Sequence, residues 1–224
     1  MTYEELQALH PTLFENPASC PIRIVTDPGE RNRVEAAVRD RLERKGLPED
    51  LARTGVVYVD QYVVLMRDAV IFAGSIAGTY LRFCELPPET MGVAMLPRHG
   101  ESLILLRHFR HATRDYQIEV PRGFGTLGLS NEENARKEIA EEIGGRCQTL
   151  TSLGTMIANS GLSGTKTALF LATLDDIGEP NRAEGIVEIL RLSCKDMERM
   201  IDADKITDGF TIACYARAKL AGLL

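Results

Sequence analysis

Residues 119 to 145, EVPRGFGTLGLSNEENARKEIAEEIGG, constrain the fold more than any other stretch of this chain. An extended segment, YQIEVP, runs into a glycine-rich loop, and a helix with an unusual charge pattern follows. Ser130 with Glu133 makes a capping box and Gly144 is a stop, so the spacing predicts a helix from about Asn131 to Ile143. Ala135 and Ile139 supply its buried side. Glu138, Glu141 and Glu142 fall at i, i+3 and i+4, which at about 100° per residue places them on one face. Like charges at that spacing destabilise a helix by roughly 0.2–0.5 kcal/mol per pair. Two readings follow: a solvated acidic surface, or a place for a hard divalent cation, which takes oxygen ligands.

The rest of the chain reads as a mixed α/β protein. Asp27, Pro28 and Glu30 supply an N-cap, a first-turn proline and a capping-box partner. They open a helix lined by Val34, Val38 and Leu42 and closed by Gly46 and Pro48. From Val56 to Phe83 the pattern is extended and β-branched, with Asp68 and the Gly74–Gly78 region as punctuation. MGVAMLP and SLILLRHF form a hairpin across RHGE; SLGTMIA, KTALFLATL and GIVEILRLS are later strands. Two helices, near Lys195–Ile201 and Gly209–Leu220, close the chain. Strands and helices interleave without a regular βαβ rhythm, which predicts a mixed sheet with helices on its faces.

Composition narrows the function. A net charge of −6 argues against a nucleic-acid-binding face, which would need a basic stripe. It leaves room for a small phosphorylated substrate, because a bound metal ion supplies local positive charge. Five scattered cysteines with no C-x-x-C pair read as reduced thiols, with no zinc site or disulfide framework. The start, MTYEELQALHPTLF, shows no signal-peptide pattern, and no apolar run approaches the ~20 residues that span a bilayer. The expectation is a cytoplasmic protein without a membrane or nucleic-acid partner.

Strand, glycine loop and acidic helix together resemble the Nudix box, G-x5-E-x7-R-E-U-x-E-E-x-G-U with U apolar. Gly123 opens it, Glu138 is the first helix carboxylate, Glu141 and Glu142 are the pair, and Gly144 closes it. Leu129 stands where the family has its first Glu, Lys137 where it has Arg, and Gly145 where it has an apolar residue. The Glu and Arg that brace the loop are thus altered together, and an apolar Leu129 is expected to staple the loop to the core instead. The region GVAMLPRHGESLILLRHFRHATRDYQIEVPRG and the tail DKITDGFTIACYARAKL are similar to the ADP-ribose and nucleoside-diphosphate-sugar pyrophosphatase branch. DAVIFAGSIAGTYLRF resembles that branch's N-terminal strands, which commonly pair across a dimer.

The resemblance implies a Nudix α/β/α sandwich with a mixed sheet at residues 91–224. An N-terminal α+β extension and possible dimerisation region, residues 1–90, precedes it. It implies diphosphate hydrolysis with Mg²⁺ or Mn²⁺, on a nucleoside diphosphate-linked sugar, ADP-ribose foremost, by a homodimer. The implied metal contacts are Glu138, Glu141, Glu142, Glu184 and the carbonyl of Arg122. Glu141 and Glu179 are the candidates for general base, with the assignment open between them. Arg110, whose planar fork suits phosphate oxygens, and Glu119 are expected near substrate, with a structural salt bridge as the other reading of Arg110. Arg82 is placed at a partner's substrate. Two rivals remain: a Nudix-fold binding or regulatory module with little catalysis, and a hydrolase for GDP-mannose, a UDP-sugar or a dinucleotide. GLSGTKT lacks the G-K-[ST] run of a P-loop and reads as a turn and strand start, and His108 and His111 read as packed or exposed rather than as ligands.

Overall fold

A computed structural model describes all 224 residues, Met1–Leu224. The chain divides into two compact units, Met1–Pro88 with Asn159–Gly164, and Glu89–Ala158 with Thr165–Leu224.

The first unit contains α1 (Tyr3–Leu9), β1 (Arg23–Val25), α2 (Pro28–Glu43), β2 (Gly55–Val59), β3 (Val63–Phe72) and β4 (Ile76–Glu85). β3 is its spine. It pairs antiparallel with β4 along its whole length, and its other edge takes β2 at one end and β1 at the other. Tyr3, Leu6, Phe14, Val64, Met66 and Cys84 make one core cluster. Val34 and Val38 of α2 pack with Val25, Ala52 and Ala69 in another. Asp27 caps α2 as expected by accepting from Glu30 N–H, but the Glu30 carboxylate pairs with Arg23 rather than closing a capping box. The helix ends at Glu43, three residues before Gly46. α1 went unread in the sequence although its signal was there: Thr2 and Glu5 form a complete capping box. The segment GLSGTKT is a turn leading into a strand, as expected, and its first part belongs to this unit: Phe83 N–H donates to the Leu162 carbonyl and the Tyr80 hydroxyl to the Gly161 carbonyl.

The second unit holds β5 (Gly92–His99), β6 (Ser102–Arg110), β7 (Asp115–Glu119), β8 (Arg122–Gly123) and α3 (Asn131–Ile143). β9 (Arg146–Ile157), β10 (Lys166–Asp176), β11 (Ile186–Leu192), α4 (Cys194–Asp202) and α5 (Gly209–Leu220) follow. The sheet is mixed, in the order β11-β6-β5-β10-β9, with β5 and β10 parallel and the other neighbours antiparallel. Its central strands β5, β6 and β10 are buried on both faces, so they read as continuous apolar runs rather than alternations. Val93, Met95, Ile104, Leu106, Phe170 and Ala172 point to one side, against Ala135, Ile139 and Ile143 of α3. Ala94, Leu96, Leu103, Leu105, Leu169 and Leu171 point to the other, against Met197 of α4 and Cys214, Tyr215 and Ala218 of α5. That is the α/β/α sandwich expected from the sequence.

One irregularity builds the site. β5 and β6 are paired only beside their turn, at Arg98–Leu103 and His99–Ser102, and then separate. Buried backbone N–H and C=O groups need partners, so the diverging edges take new ones. β7 pairs with β6 at residues 106–110, β8 pairs with β5 at 93–94, and Met95 N–H donates to the Pro121 carbonyl. The segment Glu119–Gly123 therefore lies in the split of the sheet, beside α3.

Candidate active site

α3 starts and stops where the sequence predicts. Ser130 and Glu133 cap each other's backbone groups, and Gly144 takes the left-handed conformation, φ 57°, that ends the helix. Its three carboxylates separate by depth. Glu138 and Glu142 are buried, at 9% and 3% exposure, while Glu141 faces outward. An arc of about 100° per residue explains this, since Glu142 lies closer than Glu141 to the buried stripe of Ala135, Ile139 and Ile143.

The loop strand and the helix fit each other through a missing side chain. A Cβ on Gly123 would lie 2.2 Å from the Glu138 carboxyl carbon, so any larger residue would displace that carboxylate from its place against the loop strand. One residue earlier, the Arg122 N–H donates to Glu142 Oε2 at 3.1 Å. Burial pushes the Glu142 carboxyl up to about 8; the Arg122 N–H opposes this, and the charge of Glu138 adds to it. Glu138 is also raised, chiefly by burial, with Lys137 opposing and the charges of Glu141 and Glu184 adding.

Glu184 thus acts electrostatically on both buried carboxylates, although it comes from a short turn before β11. Asn181 Nδ2 donates to its Oε1 at 2.8 Å. That turn is tied to the end of α3, because Gly178 N–H donates to the Ile143 carbonyl and Asn181 N–H to the Glu142 carbonyl. Glu179 lies on the same tether and is exposed. Glu141 pairs with Lys137 Nζ at 2.9 Å, and Lys137 also reaches Glu138 at 3.1 Å. The Lys at the altered box position has therefore taken the helix carboxylates themselves as partners. Leu129 does not staple the loop to the core; it is 40% exposed. Asn134, which the sequence reading passed over, holds the loop: it is buried, donates to the Phe124 carbonyl and meets Thr126 Oγ1 at 2.9 Å.

Behind the carboxylates lies a buried ion cluster. Glu119 is fully buried, with Arg110 Nε at 2.8 Å, Arg122 at 3.4 Å and His108 Nδ1 at 3.1 Å. Burial alone would raise the Glu119 carboxyl, but the close approach of His108, the hydrogen bond from Arg110 and the charges of Arg122 and Arg110 bring it below the usual carboxylate range. Arg110 is half of a salt bridge and its charge also reaches Glu142. His108 is a packed histidine, as expected, and its partner is Glu119. Arg82 sits in the first unit, bonded to Asp68 at 2.5 Å and to the Leu13 carbonyl. A cavity of about 420 Å³ borders Thr90, Met91 and Gly125–Asn131 at the N-terminal end of α3, two to three turns from Glu138 and Glu142.

The donor set suits a hard divalent cation. Two buried carboxylates with raised pKa values, oxygen donors and a close-packed glycine make a place where positive charge is favoured. No group of three acidic, cysteine or histidine side chains is gathered as a ready cage. Glu138 and Glu142, with Glu184 acting on both, are the residues that would hold such an ion.

The fold has close parallels. A crystal structure of an ADP compounds hydrolase superposes on 77% of this chain and 95% of its own, with a TM-score of 0.66 at 18% identity. The chain has a Nudix fold. Among curated proteins, an ADP-sugar pyrophosphatase of Mus musculus is 30% identical over 112 residues, 47% of this chain and 51% of the mouse protein. The chain thus spans about half the length of the curated relative it matches. No family model matches. Against the Nudix pattern, Leu129 and Lys137 depart at the two bracing positions and Gly145 at the closing apolar one, while Glu138, Glu141, Glu142 and Gly144 keep the residues of the pattern. No helix is long and apolar enough to cross a membrane.

Proposed function

We propose that this Nudix-fold protein hydrolyses the diphosphate of a nucleoside diphosphate-linked sugar, ADP-ribose foremost, giving AMP and ribose 5-phosphate with Mg²⁺ or Mn²⁺. The observation that carries it is the juxtaposition of Glu138 against Gly123 and of Glu142 against the Arg122 N–H, two buried carboxylates with raised pKa values in one place. The names of the two relatives, an ADP-sugar pyrophosphatase and an ADP compounds hydrolase, support the substrate class. Bound divalent metal would neutralise diphosphate charge and acidify a water. The chain's own part is to hold Glu138 and Glu142 ionised beside it, with Glu184 and the Arg122 carbonyl completing the donors. Arg110, braced by Glu119, presents guanidinium charge to phosphate. Glu141, released from Lys137, or Glu179 on the tethered turn accepts the proton of the attacking water.

We further assign the protein to the cytoplasm, in keeping with five free cysteines, and to a homodimer through the first unit. Ile76, Tyr80 and Leu81 of β4 are exposed apolar side chains that would suit such an interface; Arg82 of the same strand is then the residue to reach a partner's substrate. A light-scattering mass of one chain would remove both statements.

A second reading, a Nudix-fold binder with little catalysis, is favoured by Lys137 bridging Glu138 and Glu141 and by the exposed position of Glu179. Product release from ADP-ribose, GDP-mannose, UDP-glucose and a dinucleotide decides, run with Mg²⁺, Mn²⁺ or chelator beside a Glu142→Gln control. Metal-dependent turnover of one substrate, lost in the control, is expected. No turnover, with a nucleotide sugar still protecting against melting, would replace the hydrolase by the binder.

A further inference from the structure

The segment that carries the Arg122 peptide is gripped from two sides, and the second side is the last helix. Asp208 is the N-cap of α5 and accepts from both the Thr211 N–H, at 2.9 Å, and the Thr211 hydroxyl, at 2.7 Å. The same two residues reach across to the loop strand. The other Asp208 oxygen takes Arg122 Nη1 at 2.9 Å, and fully buried Thr211 accepts the Val120 N–H at 2.9 Å. The Arg122 guanidinium is further fixed over the Phe210 ring, 4.8 Å from its centroid, and by Glu119. On the opposite side, the Arg122 N–H is the backbone donor to Glu142. One unbroken run of contacts thus leads from Asp208 through Arg122 to a carboxylate of the metal-binding face.

We infer that Asp208, seconded by Thr211, is a positioning residue for the cation site, setting the orientation of the Arg122 peptide and through it the placement of Glu142. The inference rests on reading Glu138 and Glu142 as holding a divalent cation. Asp208 touches neither Glu142 nor anything that Glu142 would bind. Its influence comes from two holds on either side of Pro121: Asp208 takes the Arg122 guanidinium directly, and it fixes the Thr211 hydroxyl that accepts the Val120 N–H. Groups bonded directly to a metal ligand change affinity or activity by about 10–100-fold when they are lost, and Asp208 acts one contact further out, which places it at the lower end of that range.

Mn²⁺ binding by the full chain, followed by electron paramagnetic resonance without substrate, tests this directly. The variants are Asp208→Ala, Asp208→Asn, Thr211→Val and Glu142→Gln. Ser193→Ala serves as control, because Ser193 caps α4 in the same way as Asp208 caps α5, without contact to Arg122. Asp208→Ala is expected to weaken Mn²⁺ binding about tenfold. Asp208→Asn, which keeps a capping oxygen but loses the charge facing Arg122, should fall between it and wild type, and Thr211→Val should weaken binding severalfold. Ser193→Ala should lower the melting temperature while leaving Mn²⁺ affinity unchanged. In turnover, Asp208→Asn should raise the Mn²⁺ concentration needed for half-maximal rate more than it changes KM for the nucleotide sugar. If Asp208→Ala fails to fold, Asp208→Asn carries the test. Wild-type affinity in the Asp208 variants, or an equal loss in Ser193→Ala, would overturn the inference while leaving the cation site intact. Absence of Mn²⁺ binding by the wild type, matched by Glu142→Gln, would overturn the site itself and the inference with it.

Discussion

Glu142→Gln should stabilise the metal-free protein at neutral pH, although it removes the residue on which metal binding depends. Glu142 is 3% exposed, and burial moves its carboxyl from an ordinary 4.5 up to about 8. A folded-state pKa raised above the unfolded one means that the folded protein holds a proton that the unfolded chain releases. The stabilisation is full below pH 4.5 and is lost as pH rises toward 8, at about 1.4 kcal/mol per unit. At pH 7.5 the unfolded chain has released this proton while the folded carboxyl still largely keeps it, so the buried acid costs on the order of 4 kcal/mol relative to acid conditions. Gln keeps an oxygen for the Arg122 N–H, but its amide donors lack assured partners, which takes back about 1–3 kcal/mol. The net gain is on the order of 2 kcal/mol, or about 4–8 °C in melting temperature for a chain of this length. Thermal melts in chelator at pH 5, 6.5 and 7.5 measure it, with the difference expected to grow with pH. Saturating Mn²⁺ should reverse the order, because the wild type gains about 2.7 kcal/mol at a hundredfold excess over Kd while the variant gains little. A variant that melts at or below wild type in chelator at pH 7.5, or a difference that does not shrink toward pH 5, would refute the reasoning.

Gly123→Ala should abolish Mn²⁺ binding and cost about 1–3 kcal/mol in urea unfolding, since its Cβ would sit 2.2 Å from the Glu138 carboxyl carbon. Arg110→Ala strips a charge partner from fully buried Glu119 and should cost about 3–5 kcal/mol, with Arg110→Lys intermediate, as read by denaturant midpoints. Lys137→Gln removes a half-exposed ion pair, so stability should change by less than about 1 kcal/mol. Titration should show Mn²⁺ binding severalfold tighter in that variant, because the ammonium no longer competes for Glu138 and Glu141.

Much of the site was legible because its signals are local. The Ser130–Glu133 box and Gly144 fixed the ends of α3 within the chain's own next few residues. The i, i+3, i+4 spacing put three carboxylates on one face before any tertiary contact was known. The same local logic would have found α1 from Thr2 and Glu5. It failed at Leu129, where an apolar residue was read as buried and is exposed, because burial of a loop residue depends on what comes to cover it.

What the sequence by itself determined is most of the elements from α2 onward, a mixed sheet with helices on its faces and the chemical character of the acidic helix, since helical period, strand composition and caps act over a few residues. The tertiary structure alone decided which carboxylates are buried, Glu138 and Glu142 rather than Glu141. It alone joined Arg122 to Asp208, 86 residues away, and brought Glu119 against His108, Arg110 and Arg122. It also split β5 from β6 so that Glu119–Gly123 could enter the gap. Charge pairing across such separations is settled by packing, because a buried polar group takes whichever partner the closed core leaves within reach.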